Sequence, residues 1–228
     1  MTNRERVRRC GCCKPVDRAP FLFYFGPWEE TAARWKEQGV ENPRAWQEDF
    51  PFDKPIVTMA NYVNHLHCPP FETRELERHG ETVIRQDWLG QIVECREGVT
   101  GIPRILKSPV NTPDEWEALR RERLDPHNPM RYSRDLRQVG EELNRDDSPV
   151  QIGIYPCGLY GTLRDLMGVE GSLYAFYDQP ELVHAIMDGL TDFWLQIYEE
   201  ICRYVKVDIL HIWEDMSGKQ GAPLSPGI

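Results

Sequence analysis

The chain has 228 residues, of which 40% are hydrophobic and 11% aromatic. This composition is too apolar for a disordered protein, and the length suits one ordinary domain. Lys and Arg number 27 against 37 Asp and Glu, which gives a net charge of −10 at pH 7, so neither nucleic acid nor an anionic membrane is expected as a partner.

The location is predicted to be cytoplasmic. No stretch approaches the roughly 18 apolar residues that a membrane-spanning helix needs. The first residues carry charge without an apolar stretch behind them, so they are not expected to be a secretory signal. The 7 cysteines have irregular spacing, which favours reduced thiols over a disulfide framework.

The chain begins with few regular elements. The aromatic run at 19–26 lies between Pro and Gly and predicts a buried strand. Residues 31–38 predict a short helix that Gly39 ends. Five prolines between 40 and 80 argue against continuous regular structure there. We therefore expect 40–130 to be an irregular, insertion-rich part of one domain that covers 1–228.

Two elements are nevertheless expected inside this irregular part. Residues 82–88 and 91–95 flank Leu89-Gly90, and they predict a hairpin. Thr112-Pro113 supplies a capping residue and a first-turn proline. A helix with a charged, solvated face is therefore predicted at 114–123.

From residue 133 onward, helices and strands alternate. Apolar residues from Val183 to Val205 recur at steps of three and four, which predicts one long amphipathic helix. The predicted elements are helix 133–144, strand 149–155, helices 159–168, 172–178 and 180–205, and strand 207–213.

Such alternation is typical of βα units around a parallel sheet. No Gly-rich phosphate loop follows a strand, and polar residues collect where the strands end. Both features favour a (β/α)8 barrel over a doubly wound sheet.

The last strand carries the most informative polar residues. Strand side chains alternate between faces, so Leu210 and Ile212 are expected to face a helix. The other face would point into the barrel, with an acid–base group or a metal ligand at its mouth. That face consists of Ile209, His211, Trp213 and Asp215.

Alternatives stay open for each of these residues. His211 could be a hydrogen-bonded core residue, and Asp215 could cap a turn. Tyr155 could donate a hydrogen bond at the mouth or be packed with a satisfied hydroxyl group. Lys219 could serve the site or be a solvated lysine. Gly153 would leave room inside a crowded barrel.

The N-terminal cysteines invite a metal interpretation, because thiolates at short spacing suit zinc. Cys10-Gly-Cys-Cys13 lacks a second Cys-x-x-Cys motif, and His65-Leu-His-Cys68 would complete a site only if a long loop folded back. We expect unligated thiols and no metal site within the chain.

Several short segments, in this order and spacing, resemble the uroporphyrinogen decarboxylase superfamily, which includes corrinoid-dependent methyltransferases. The resemblance runs over almost the whole chain. The segments are Asn3-Arg-Glu-Arg-Val7, Pro15-Val-Asp-Arg-Ala-Pro20, Pro70-Phe-Glu72, Asp87-Trp-Leu-Gly90, Leu163-Arg-Asp-Leu-Met-Gly168, Asp178-Gln-Pro-Glu-Leu-Val183, Ile212-Trp-Glu-Asp-Met216 and Gly221-Ala-Pro-Leu-Ser-Pro226.

The resemblance implies a (β/α)8 barrel, often dimeric, with a deep mouth for a large substrate. True decarboxylases of the family carry arginines after the first strand, where they bind substrate carboxylates. Here that stretch, 23–28, has no arginine. Asp215 falls where the decarboxylases place a substrate-contacting serine. The match is therefore closer to the methyltransferase-like branch.

By this resemblance, the expected function is methyl transfer between a corrinoid protein and a thiol or tetrahydrofolate. Zinc, if used, would have its ligands beyond residue 228. The alternatives are uroporphyrinogen decarboxylation and a non-catalytic tetrapyrrole-binding or corrinoid-binding protein or inactive fragment. The predicted catalytic residues are Asp215, His211 and Tyr155, and the predicted substrate-binding residues are Tyr24, Asp87, Arg164 and Lys219.

The length of the chain is short for the barrel that the resemblance implies. A complete barrel takes about 250 residues, and only three parallel strands are predicted here, at 19–25, 150–155 and 207–213. The sequence analysis therefore predicts an incomplete barrel that lacks its C-terminal strands and helices.

Overall fold

The computed structural model describes residues 1–99, 101–219 and 221–225. Its α-helices are α1 (Asn3–Gly11), α2 (Glu29–Glu37), α3 (Pro113–Arg123), α4 (Leu136–Arg145), α5 (Leu159–Met167), α6 (Val169–Asp178) and α7 (Pro180–Cys202). Its strands are β1 (Val57–Thr58), β2 (Arg74–His79), β3 (Thr82–Gln86), β4 (Ile92–Arg96), β5 (Arg104–Lys107), β6 (Val150–Gly153) and β7 (Ile209–His211). Short 3₁₀ turns lie at Pro43–Asp49, Met59–Asn61 and Pro129–Arg131.

The strands form two separate sheets. Strands β1, β6 and β7 make a three-stranded parallel sheet in the order β1-β6-β7. Strands β2 to β5 make a four-stranded antiparallel sheet in chain order. The expected (β/α)8 barrel is therefore wrong, and with it the incomplete barrel, because a mixed α/β arrangement of two open sheets takes its place.

The run at 19–26 accounts for part of that error, because it is extended but joins neither sheet. Its aromatic rings pack on rings from the next segment: Phe21 lies 4.4 Å from Phe52, and Phe23 lies 5.4 Å from Trp46, between ring centroids. The N–H of Phe21 donates to Oδ2 of Asp53 at 2.9 Å. An apolar run was expected to pair in a sheet, and instead it packs through side chains.

The core is centred on α7 and draws most of its residues from the second half of the chain. Every apolar position predicted for one face of this helix is buried, and Trp194 also donates its Nε1–H to the backbone oxygen of His65 at 2.8 Å. The long amphipathic helix is thus confirmed. Its buried apolar residues include Val183, Ile186, Leu190, Trp194, Ile197 and Ile201, with Val205 just beyond its end.

Other local predictions are also confirmed. Strands β3 and β4 pair as the predicted hairpin. Helix α3 begins with a capping box, in which Thr112 and Glu115 satisfy each other's backbone N–H groups. The prediction that Leu210 and Ile212 face a helix is wrong, since their side chains are 58% and 61% exposed.

Helix α1, which the sequence analysis did not predict, ties the N-terminus to the parallel sheet. Arg4 forms an ion pair with Asp208 at 2.8 Å. Asp208 in turn accepts the N–H of Val150 at 2.9 Å, at the start of β6. Arg6 forms a second pair, with Asp17, at 2.7 Å. The contacts of Asp208 with Arg4 and Val150 fix the amino ends of β6 and β7.

Two further findings bear on the general predictions. All seven cysteines are free, in agreement with the predicted lack of a disulfide framework. Within the described ranges, no helix combines the length and the apolar character that crossing a bilayer requires.

Candidate functional site

The carboxyl ends of the parallel strands meet at one edge of their sheet. Tyr155 lies two residues beyond the end of β6, and Trp213 lies two residues beyond the end of β7. The extended segment at 19–26 brings Tyr24 to the same place, where its hydroxyl group lies 2.9 Å from Nδ1 of His211. This edge is where open α/β sheets place their ligand sites.

Five rings at this edge form a continuous row, here called the aromatic row. The centroid of Tyr24 lies 5.5 Å from that of His211, which stacks on Trp213 at 5.8 Å. Trp213 meets Tyr155 edge-to-face at 5.9 Å, and Tyr155 meets Trp88 at 6.5 Å. Such spacings lie within the range of favourable ring contacts.

The aromatic row is open to solvent. Tyr155, Trp88 and Tyr24 are 40%, 42% and 44% exposed. Exposed rings held in place by their neighbours supply flat apolar surface at little entropic cost to a ligand. Beside Trp88 and Tyr155 lies a cavity of about 420 Å³. The row and the cavity together can accept a flat ring with an attached chain.

Asp165, on α5, is the most perturbed carboxyl group of the site. Burial raises its pKa to about 6, although the nearby Tyr155 hydroxyl group and Arg164 act in the opposite direction. Its Oδ2 atom is buried and has no hydrogen-bond partner in the part of the chain that the structure describes. A carboxyl group with this pKa exchanges its proton near neutral pH, as general acid–base catalysis requires.

Tyr155 and Asp165 act on each other. Burial raises the pKa of Tyr155 well above its ordinary value, and the negative charges of Asp165 and Asp87 raise it further. The tyrosine hydroxyl group therefore stays protonated and serves as a hydrogen-bond donor. Asp165 is the member of the pair that changes its charge.

Asp87 is held in the turn between β3 and β4. Its Oδ1 atom accepts the N–H groups of Leu89 at 3.0 Å and Gln91 at 2.9 Å. The side chain of Gln91 donates to the backbone oxygen of Asp165 at 2.6 Å. Through these bonds, the antiparallel sheet supplies one turn to the site.

Arg164 and Asp215 close the site on the side of β7. Arg164 donates to Oδ2 of Asp215 at 2.8 Å. Burial alone would lower the pKa of Arg164, but the hydrogen bond to Asp215, together with the negative charges of Asp215 and Asp165, outweighs burial and the pKa is raised. The Asp215 side chain is 59% exposed, so a ligand anion could compete with it for the guanidinium group.

Glu214 fixes the beginning of α5, the helix that carries Arg164 and Asp165. Its carboxylate accepts the N–H of Tyr160 at 3.1 Å and the N–H of Gly161 at 2.8 Å. A negative charge at this end of a helix is also favoured by the helix dipole. The segment after β7 therefore contacts α5 in two ways: Glu214 binds its backbone, and Asp215 binds the Arg164 side chain.

The close contact of β6 and β7 depends on Gly153. Its φ of +78° lies in the left-handed region, and a Cβ there would meet the backbone oxygen of His211 at 1.9 Å. From the sequence, this glycine was expected to leave room in a barrel. It instead permits the approach of two strands of an open sheet.

The structure brings together six of the seven residues predicted for the site. Five of them belong to the aromatic row or to the Arg164–Asp215 ion pair. The sixth, Asp87, lies close enough for its negative charge to raise the pKa of Tyr155. Lys219 stands apart: it is exposed, and its side chain makes no hydrogen bond or ion pair with the described residues. The catalytic and binding roles of all seven stay predictions. The six are Tyr24, Asp87, Tyr155, Arg164, His211 and Asp215.

Sequence reasoning missed three contributors: Asp165, Glu214 and Trp88. Asp165 directly follows Arg164, so a carboxylate on the helix after β6 was an available signal. Glu214 lies between Trp213 and Asp215, which were both assigned to the inward face of the last strand. Trp88 offered no signal, because its position depends on how the antiparallel sheet packs.

Two buried histidines lie behind the site. Burial, helped by the positive charges of neighbouring arginines, lowers the pKa of His65 and of His67 to about 4. No ring nitrogen of either has a hydrogen-bond partner of normal geometry among the described residues. Across residues 1–99, 101–219 and 221–225, no group of three or more His, Cys, Asp and Glu side chains could hold a metal ion.

Comparison with known proteins adds no relative. No protein-family model, no curated protein and no solved structure matches the chain.

Proposed function

We propose that the protein takes part in methyl transfer between a corrinoid protein and a small acceptor, and that the acceptor is a flat nitrogen-containing ring such as that of tetrahydrofolate. The observation that carries this proposal is the Tyr155–Asp165 pair beside the aromatic row, in which burial raises the pKa of Asp165 to about 6. The sequence resemblance supplies the reaction, and the site supplies the choice of acceptor.

The aromatic row suits a flat acceptor. The exposed faces of Trp88 and Tyr155 offer surfaces on which a ring can stack. Carboxylates accept the N–H groups at the edge of a pterin-type ring, and Asp87 and Asp215 lie at the same edge of the sheet. The adjoining cavity of about 420 Å³ has room for the chain that extends from such a ring.

Proton transfer is the chemistry that Asp165 contributes. The methyl group leaves the corrinoid without its bonding electrons, and the acceptor nitrogen forms the new bond with its lone pair. That nitrogen then loses its proton, which the Asp165 carboxylate accepts; the reverse reaction returns it. The Tyr155 hydroxyl group, which keeps its own proton, orients the carboxyl group.

The test is methyl transfer from methylcobalamin, free or bound to a corrinoid protein, to tetrahydrofolate. We expect the chain to bind the acceptor and to transfer the methyl group, with Asp165→Asn reducing the rate by about 10²–10⁴-fold. Asp188→Asn, at an exposed position of α7, is the matched control and should retain full activity. A wild-type chain that neither binds tetrahydrofolate nor transfers the methyl group would refute the proposal.

A thiol acceptor is the alternative within the same reaction. It would be activated as a thiolate, which zinc stabilises in other enzymes. Because no described group of side chains could hold a metal ion, no step is assigned to zinc here. Transfer to a small thiol, with none to tetrahydrofolate, would establish this alternative.

Porphyrinogen decarboxylation is the second candidate function. A protonated Asp165 could also deliver a proton to the carbon that loses its carboxylate. However, the segment 23–28 has no arginine, and Arg164 is engaged by Asp215, so few cations are at hand for a substrate with many carboxylates. Release of CO₂ from uroporphyrinogen would favour this candidate.

A non-catalytic role would give a different pattern. Binding of a corrinoid or tetrapyrrole over the aromatic row, without turnover of any substrate, would indicate a carrier. For the compartment, we propose the cytoplasm, because all seven cysteines are free thiols.

A further inference from the structure

The end of α1 carries three thiols that the candidate site does not use. Cys10, Cys12 and Cys13 are exposed and free. The N–H of Cys13 donates to the backbone oxygen of Cys10 at 3.0 Å, and the N–H of Lys14 donates to that of Arg9 at 2.8 Å. These two bonds make a Schellman turn, which ends the helix.

Cys13 occupies the position of this turn that glycine normally takes. Its φ is 53°, in the left-handed region, which is unfavourable for residues with a Cβ. Gly11 lies two residues earlier, inside the helix, where a Cβ would meet nothing within 4 Å. A strained conformation at a reactive side chain points to a use for that side chain.

The turn places Cys10 and Cys13 at a separation that suits a disulfide. Residues joined by a turn of this kind have Cα atoms within about 7 Å, and disulfides bridge Cα separations of about 4.4–6.8 Å. We propose that Cys10 and Cys13 form a dithiol that exchanges with low-molecular-weight disulfides such as glutathione disulfide. This inference does not depend on the proposed function.

The exchange is balanced in two steps. One thiol of the pair loses its proton to solvent and attacks glutathione disulfide, which forms a mixed disulfide and releases one glutathione thiolate. The second thiol loses its proton and attacks the protein sulfur of the mixed disulfide. The Cys10–Cys13 bond forms, and the second glutathione leaves. Two protein thiols are oxidised, and one glutathione disulfide is reduced to two glutathione molecules.

The surroundings favour an anionic disulfide. A cavity of about 310 Å³ adjoins the turn, and more cationic than anionic side chains line it. Glutathione disulfide carries carboxylates, which cationic side chains attract. The lining residues are Arg4, Arg8, Arg9, Lys14 and Cys12, together with Thr2, Glu5 and Asp147.

The short span also indicates a reversible role. A disulfide generally stabilises a protein more when the loop that it closes is longer, and this one would close only the turn from Cys10 to Cys13. Little stability is gained, so reduction by glutathione is correspondingly easy.

The test is incubation of the whole chain in a series of reduced and oxidised glutathione mixtures, followed by alkylation and peptide mass spectrometry. We expect the peptide with residues 10–13 to lose two hydrogens as the mixture becomes more oxidising, and to regain them on reduction. Cys12→Ser should behave as the wild type, whereas Cys10→Ser should form no internal disulfide.

Cys13→Gly provides an independent variant that is not expected to unfold, because glycine suits the left-handed position. It should be at least as stable as the wild type and should form no Cys10–Cys13 bond. Several results would overturn the proposal: no reaction with glutathione disulfide, a mixed disulfide that never resolves, or an internal bond that includes Cys12.

Discussion

The two sheets of the molecule differ in nearly every property that matters for function. All four residues of β6, in the parallel sheet, are buried, and Val150 and Ile152 belong to the same buried core as the apolar face of α7. All six residues of β2, in the antiparallel sheet, are exposed. The parallel sheet and its helices hold the core and most of the site. The antiparallel sheet contributes only the turn with Asp87 and Trp88.

This difference has a physical cause. Parallel strands need long connections. The connection between β6 and β7 holds α5, α6 and α7, which bury apolar side chains in the core, although Leu210 of β7 stays exposed. The antiparallel strands are joined by short turns, so they need little cover and can stay at the surface. Strain and perturbed pKa values are therefore expected in the parallel region, and the following variants test that expectation.

The largest effect is expected from the core of α7. Ile186 is fully buried, so Ile186→Ala should lower the free energy of unfolding by about 2–5 kcal/mol. The matched change in β2, Leu76→Ala, removes a side chain that is 43% exposed and should cost less than about 1 kcal/mol. Urea unfolding measures both. Equal losses would contradict the contrast between the two regions.

Glycines with positive φ in the two sheets are expected to differ in how well they tolerate a side chain. Gly153→Ala should cost about 2–4 kcal/mol, because its Cβ would meet the His211 oxygen at 1.9 Å. Gly80→Ala, between β2 and β3, has φ +61° and nothing within 4 Å, so it should cost about 1 kcal/mol. Thermal unfolding of the pair checks this, and a larger loss for Gly80→Ala would be inconsistent with the open turn.

Asp165→Asn is expected to stabilise the protein while impairing the site. Since the folded pKa is raised from 3.8 to about 6, the favourable contribution of Asp165 is complete below pH 3.8 and is lost as the pH rises through about 6. At pH 8 the variant should gain about 1–3 kcal/mol in the free energy of unfolding. A gain that is independent of pH would argue against a buried, titrating carboxyl group.

The smallest effect is expected from the buried histidines, whose contribution to the free energy of unfolding changes with pH in the opposite direction to that of Asp165. The folded pKa of His67 is lowered from 6.5 to about 4, so its contribution is present above pH 6.5 and is lost as the pH falls toward 4. Between pH 7 and pH 5 the wild type should lose about 1–2 kcal/mol through this group. His67→Leu should show a shallower loss in denaturant titrations at the two pH values, and an unchanged slope would contradict the assignment.

The sequence predicted local structure better than it predicted topology. The spacing of apolar residues in α7 and the Thr112–Glu115 cap of α3 depend on neighbours in the chain, so both were recognisable. The run at 19–26 has the composition of a strand, yet Phe21 gives its N–H to Asp53 instead of a sheet. That choice depends on a residue 32 positions away, which no local pattern reveals.

The site was predictable to a similar degree. Tyr155 and Asp215 lie just beyond strand ends, and strand-end polar residues gather at one edge in any parallel sheet, barrel or open. Both residues could therefore be placed at one edge of the sheet from the sequence, because this rule does not depend on whether the sheet closes into a barrel. Asp165 and Trp88 could not be ranked from sequence, because burial of a carboxyl group and contact between distant rings arise only from packing.

The most direct test of the central claim is the titration of Asp165 by carboxyl-carbon NMR, with Asp165→Asn used to assign its signal. We expect a midpoint near pH 6, well above the ordinary value of 3.8, and a change in the signal when tetrahydrofolate binds. A midpoint near 3.8, unaffected by the acceptor, would show that the carboxyl group is neither buried nor part of a proton-transfer site.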